Sequence, residues 1–153
     1  VATVVAKLLI QAAPDLAVFG EKDYQQLCVV KKLCRDLDLP VEIIGAPTVR
    51  DAEGLAMSSR NVYLSAAELD VARKLNKILR KAATALEGGA DEAAAMAAAR
   101  QEILDAGFDM VDYVAARQID TLASWQRDTN GRVLVAARLG KTRLIDNVGV
   151  TAR

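Results

Sequence analysis

Apolar residues recur at helical spacing from the start of the chain: Val4, Val5, Leu8, Leu9 and Ala12 share a face, and Pro14-Asp15 closes the run. Leu16-Ala-Val-Phe19 is then a short apolar stretch closed by Gly20, the pattern of a buried strand. Asp23 predicts an N-cap, with Gln26 three residues on completing a capping-box spacing. Leu27, Val30, Leu33, Cys34 and Leu37 follow as the buried stripe of a second helix. Pro40 stops that helix, and Val41-Glu-Ile-Ile44 begins a second strand. Strand, helix and strand within about 30 residues make a βαβ unit, which implies a parallel sheet covered by helices.

From Ala46 to Asn61 the periodicity lapses. Pro47, Gly54, Ser58 and Ser59 lie among charges, so the stretch reads as a loop and a domain junction. Ser65-Ala-Ala-Glu68 is a second capping box, opening a helix whose stripe is Leu69, Ala72, Leu75, Leu79, Ala82 and Leu86. Gly88-Gly89 ends it. Asp91 caps an Ala-rich helix that runs to about residue 106 and stops at Gly107. Three strand-like pieces follow, over 110–116, 133–139 and 143–146, joined by turns at Thr129-Asn-Gly131 and Gly140-Lys141. The second half is therefore α+β, with helices first and an antiparallel sheet after.

Composition narrows the chemistry. The 153 residues are 52% apolar, which excludes a disordered chain, and 20 basic residues balance 20 acidic ones. Zero net charge argues against a nucleic-acid footprint or binding to an anionic membrane. The sequence contains no histidine, so these residues hold no Ser-His-Asp or Cys-His machinery and no His-ligated zinc. Cys28 and Cys34 are six apart in one helix, about 9 Å along its axis, too far for a disulfide. They read as reduced packing thiols. No run reaches the roughly 18 apolar residues of a membrane span, and no signal peptide is visible. The chain opens without Met, inside an apolar run, and reads as part of a longer protein.

Two segments could carry chemistry. Gly20-Glu21-Lys22-Asp23 lies at the carboxyl end of a predicted parallel strand and opens a helix, the edge where open α/β sheets bind ligands. A helix N-terminus presents N–H donors and partial positive charge to an anion. Gly20 allows close backbone approach, Lys22 adds a cation, and Asp23 can cap or accept from sugar hydroxyls. The plain alternative is an ordinary strand-to-helix turn, with Gln26 simply the capping partner of Asp23. The second segment is Gly54-Leu-Ala-Met-Ser-Ser-Arg-Asn61. Two adjacent hydroxyls and an Arg suit a polyphosphate, and its alternative is a solvated Ser-rich linker. Both segments flank one βαβ unit, which favours a nucleotide site. Asp105, Asp109 and Asp112 do not read as a metal site, Trp125 reads as packing, and Arg138, Lys141 and Arg143 as a solvated face.

Phe19-Gly-Glu-Lys-Asp-Tyr-Gln-Gln26, Ala46-Pro-Thr-Val-Arg50 and Gly54-Leu-Ala-Met-Ser-Ser-Arg-Asn61, in that order and spacing, resemble the pantothenate synthetase family. Leu134-Val-Ala-Ala-Arg-Leu-Gly140 and Arg143-Leu-Ile-Asp-Asn147 resemble its C-terminal domain. The resemblance implies an α/β fold: the end of a Rossmann-like nucleotide-binding domain of the class I synthetase type over 1–50, an ATP loop at 51–61, and an α+β lid domain over 62–153. It implies a ligase that joins pantoate to β-alanine, using ATP with Mg²⁺, through a pantoyl adenylate. Gly20, Glu21, Lys22 and Asp23 would hold ATP, with Lys22 on a phosphate and Val49 beside the adenine. Met57, Ser58, Ser59 and Arg60 would form the loop over the β- and γ-phosphates, and Gln26 would bind pantoate. Lys22 and Arg60 would be the catalytic cations. That loop resembles the KMSKS loop of class I aminoacyl-tRNA synthetases, but Ala56 and Ser59 stand where its lysines fall, leaving the charge to Arg60.

The family's histidine-bearing ATP motif is absent, so its place would be before Val1. The segment from Ala52 to Arg60 is expected to act as a mobile lid. The resemblance further implies a cytoplasmic protein, a homodimer in its full-length form, with no nucleic-acid or membrane partner. Two other readings stand beside it: a non-catalytic module, and a related nucleotidyltransferase acting on another acid.

Overall fold

Helix α1 (Ala2–Ala12) stops where Ala13 turns left-handed at φ 42, just ahead of Pro14, in the computed structural model, which describes residues 1–152. The chain falls into two compact units, Val1–Thr48 and Val49–Arg153.

In the first unit, strand β1 (Leu16–Gly20) leads through a 3-10 turn (Glu21–Asp23) into helix α2 (Tyr24–Asp36), and strand β2 (Glu42–Ala46) returns. The two strands pair in parallel, from Leu16↔Glu42 to Gly20↔Ala46. This is the predicted βαβ unit. Ala17, Phe19 and Ile43 turn inward onto a small cluster of Leu9, Val30 and Cys34. The opposite sheet face stays open, with Leu16 52% and Val18 59% exposed, so β1 is half-buried rather than the fully buried strand its apolar run predicts. Continuous apolar character cannot distinguish one covered face from two.

Two features of α2 differ from expectation. Its stripe ends early: Leu37 caps the helix and is exposed, because Asp38 turns left-handed at φ 49. The capping box at Asp23 and Gln26 does not form, and Asp23 makes no side-chain cap bond. A capping side chain needs extended backbone at its own residue. Here Gly20 has that geometry (φ −69, ψ 133), while Asp23 already closes the 3-10 turn.

The second unit contains helices α3 (Ala66–Ala72), α4 (Lys74–Glu87) and α5 (Glu92–Asp105), then strands β3 (Met110–Gln118), β4 (Gly131–Leu139) and β5 (Thr142–Val150). The Ser65–Glu68 capping box is complete in both directions, and Asp91 caps α5 by accepting from the Ala94 N–H at 2.9 Å. The single helix expected from 65 to 87 is interrupted at Arg73, although its angles stay helical at φ −62 and ψ −21. Gly89 ends α4 at φ 93, a conformation a side chain rarely tolerates, with Ala90 N–H closing back on Ala85 O.

The strands form one antiparallel sheet in the order β3-β4-β5. All three run longer than their apolar pattern predicts, most of all β5, because β4 offers nine consecutive partners from Leu139↔Thr142 to Gly131↔Val150. Val133, Val135, Ala137 and Leu139 point to one face and join Leu75, Leu79, Leu86 and Ile103 in the core. Trp125 is a packing residue as expected, its Nε1 donating to Thr129 O at 2.8 Å.

Candidate functional site

In the first unit the Gly20–Asp23 segment sits at the carboxyl end of β1, where that strand ends opposite Ala46 of β2. Gly20 and Asp23 are exposed, Glu21 and Lys22 half-buried, and Gln26 lies exposed in the first turn of α2. A Cβ at Gly45 would stand 3.3 Å from Glu21 Cγ, so glycine there lets the Glu21 side chain lie across the end of β2. At Gly20 a Cβ would meet nothing within 4 Å. Packing therefore does not explain glycine at position 20.

The second unit turns the expected loop into a bonded hairpin. Met57 N–H donates to Val49 O at 2.9 Å, and Arg50 and Ala56 form an antiparallel bridge. Asp51 holds the tip, its Oδ1 accepting from the N–H groups of Glu53 (3.0 Å) and Leu55 (2.8 Å). Its Oδ2 accepts from Arg73 Nε at 3.3 Å. Burial pushes the Asp51 carboxyl up, but the bonds from Leu55, Arg73 and Glu53 outweigh it and hold the group below its ordinary value. The sequence hides this turn because its order comes from side-chain bonds to backbone, not from periodicity.

Past the hairpin, Ser58 caps a second 3-10 turn (Ser59–Tyr63), its Oγ accepting from Arg60 N–H at 3.2 Å. Asn61 Nδ2 donates back to Ala56 O at 3.1 Å. Val49 is 71% exposed and Met57 is also exposed, so two apolar side chains stand in solvent across the hairpin from one another. Ser59 and Arg60 are exposed and Ser58 half-buried.

Beneath the hairpin lies a polar network that sequence reasoning missed. Arg50 makes a bidentate pair with Asp146 of β5, Nη1 to Oδ2 at 2.7 Å and Nη2 to Oδ1 at 2.9 Å. Arg50 Nη1 also donates to Gly54 O (3.1 Å) and Nη2 to Asn147 O (3.3 Å). Asp146 accepts from Asn76 Nδ2 at 3.2 Å and from Asn147 N–H at 2.7 Å, and Asn76 Oδ1 accepts from Arg80 Nε at 2.8 Å. One signal was available. Asp146 falls between Leu144 and Val148 on the inward alternation of β5, where a carboxylate demands a buried partner.

The structure thus gathers Gly20, Glu21, Lys22, Asp23 and Gln26 in one unit, and Val49, Met57, Ser58, Ser59 and Arg60 in the other. The three aspartates have protein partners: Asp105 accepts from Gln101, Asp109 from Gly140 N–H, and Asp112 from Arg138 and Arg143. Among the described residues no group of three or more His, Cys, Asp or Glu converges as metal ligands. No described helix is long and apolar enough to cross a membrane.

The Pantoate-beta-alanine ligase family profile matches residues 1–149. Pantothenate synthetase of Mesorhizobium japonicum is 69% identical over 150 residues, covering 98% of this chain and 53% of that protein. The Bradyrhizobium sp. enzyme of the same name is 55% identical over 152 residues, covering 98% of this chain and 53% of that protein. The chain thus spans about half the length of the curated relatives it matches. Among solved structures, pantothenate synthetase from Thermus thermophilus superposes with a TM-score of 0.84 at 44% identity, over 96% of this chain and 54% of that one. A pantoate-beta-alanine ligase from Francisella tularensis, solved in complex with beta-gamma ATP and beta-alanine, gives a TM-score of 0.71 at 32% identity, over 96% of this chain and 48% of that one. On the profile and on these relatives, the chain belongs to the pantoate–β-alanine ligase family.

Proposed function

We infer that the protein carrying this sequence is an ATP-dependent ligase that condenses pantoate with β-alanine, and that these residues supply part of its site. In the first step a pantoate carboxylate oxygen attacks the α-phosphorus of ATP, and pyrophosphate leaves. In the second the β-alanine amine attacks the acyl carbon of the adenylate, and AMP leaves. Both steps ask the protein chiefly to position reactants and to neutralise charge.

The observation that carries this reading is the Gly20–Asp23 segment, placed at the end of a parallel strand and opening α2. Helix N-termini stabilise phosphate through aligned N–H groups and the helix dipole. Open space around a Cβ at Gly20 supports close approach of a ligand to the backbone. Lys22 is assigned to a phosphate, with Glu21 and Asp23 in the ATP site and Gln26 to pantoate. Val49 is assigned to the adenine, whose flat apolar faces suit its exposed side chain, and Met57 to the loop over the β- and γ-phosphates. Ser58, Ser59 and Arg60 are assigned to the β- and γ-phosphates, Arg60 neutralising the departing pyrophosphate. Mg²⁺ is assigned as part of the nucleotide substrate.

The test is adenylate formation in the complete ligase, read by pyrophosphate exchange. Lys22→Ala and Arg60→Ala should each lower its rate about 10²–10³-fold, the usual loss when one transition-state contact is removed. Near-normal exchange in both variants would sink the assignment. By the same resemblance the complete enzyme is assigned as a cytoplasmic homodimer, which sedimentation and fractionation would check.

A further inference from the structure

We propose that Arg50 and Asp146 are positioning residues for the phosphate-binding loop: their partly buried pair clamps the Val49–Met57 hairpin to β5, so that Ser58, Ser59 and Arg60 are presented in one place. The inference rests on the assignment of those three residues to the phosphates.

One guanidinium reaches both sides of the joint. Arg50 bonds Gly54 O inside the hairpin tip and Asn147 O on β5, while its two remaining contacts hold the Asp146 carboxylate. Asp146 has four donors, from Arg50 twice, Asn76 and Asn147, and its side chain is only 3% exposed against 18% for Arg50. Rotating the hairpin would break several of these bonds together.

Stability alone is a poor reason for such a pair, since apolar residues often replace buried ion pairs at no loss. What a bidentate pair supplies is direction, because two parallel bonds fix angle as well as distance. The clamp also lies close to the proposed site. Arg50 neighbours Val49, whose carbonyl holds Met57 N–H, and Ser58 follows directly. Asn61 grips Ala56 from the far side, so the segment carrying Ser58 to Arg60 is anchored before and after. A displacement of about 1 Å at a reacting group can cost on the order of 10²-fold in rate.

The test separates the two half-reactions in the complete ligase, using Arg50→Lys and Asp146→Asn, which keep side-chain length. Adenylate formation should fall at least about tenfold, while β-alanine capture of supplied pantoyl adenylate should stay within about twofold. A general loss of folding would lower both. Asp51→Asn disturbs the same hairpin from its surface, without stranding a buried charge, and should show the same split more weakly. It decides the matter if the first two variants do not fold. Normal adenylation in the folded variants, or equal loss in both half-reactions, overturns the proposal. Arg60→Ala is the control: if it too adenylates normally, the loop assignment has failed, and if it alone is impaired, only the clamp has.

Discussion

The first unit gathers its apolar cluster from Leu9, Val30 and Cys34 and leaves Leu16 and Val18 in solvent, whereas the second closes Leu75, Leu79, Leu86 and Ile103 over a three-stranded sheet. A parallel sheet ordinarily has both faces covered, while an antiparallel one tolerates a wet face. The two units also hold their candidate groups differently. Gly20–Asp23 is placed by topology, since any residue at the end of β1 must stand where α2 begins. Ser58–Arg60 is placed by side chains, through Arg50, Asp51 and Asn61. Position by topology tolerates substitution nearby, whereas position by hydrogen bonds does not.

The largest effect that would break this comparison is in the cores. Leu79→Ala should destabilise the second unit by about 2–5 kcal/mol, as truncation of a fully buried Leu does. Urea unfolding followed by fluorescence of Trp125, the only tryptophan in the sequence, reads that unit directly. In the 153-residue chain taken alone, Val18→Ala in the first unit should shift circular-dichroism melting by no more than an exposed substitution does, about 0.5 kcal/mol. A Val18 effect as large as that of Leu79 would show that the open sheet face is covered in solution, and the contrast would fall.

A smaller effect tests how tightly the second sheet is packed at its rim. A Cβ at Gly131 would drive into the Trp125 ring and come within 2.9 Å of Arg117 O. Gly131→Ala should therefore destabilise by about 1–3 kcal/mol, the usual range for overpacking. It should also red-shift the Trp125 emission by loosening its buried ring. An unchanged spectrum at unchanged stability would mean the strand start yields freely.

How much of this was visible in the sequence follows the same division. The βαβ unit, the Ser65–Glu68 box, the Asp91 cap and the antiparallel sheet after the helices are local or periodic, and the pattern of residues reported them. Asp23 stands at the N-cap of α2 as its spacing predicts, but it also closes a 3-10 turn with φ −90 and ψ 58, so its side chain makes no cap bond, a detail that spacing does not encode. The Arg50–Asp146 pair spans 96 positions, and nothing near either residue names the other. The family motifs located the candidate loop, but what holds it in place came only from the fold.

The smallest effect concerns acid, and it sharpens the comparison by charge. Glu68 accepts from Ser65 N–H at 2.8 Å and from Ser65 Oγ at 2.7 Å, and these bonds hold its carboxyl below the ordinary value of 4.5. Asp112 is lowered by the hydrogen bond from Arg143, which outweighs burial, with Arg138 adding to it; Asp51 is lowered in the same unit. In the first unit Asp36 is lowered, by its hydrogen bond from Lys32. A carboxyl lowered on folding binds its proton more readily when unfolded, so its stabilisation is present above the unfolded value and fades as pH falls through the folded one. The Trp125-detected urea midpoint should thus hold steady from neutral pH to about 5 and then decline. Glu68→Gln removes one of these groups, so the gap between variant and parent should be widest near neutrality and close below pH 4.5. Ser65→Ala removes the cap itself and should lower the stability read from the same urea curves at every pH, by about 1 kcal/mol. A Glu68→Gln gap that does not change with pH would mean the carboxylate acts through its shape and not its charge.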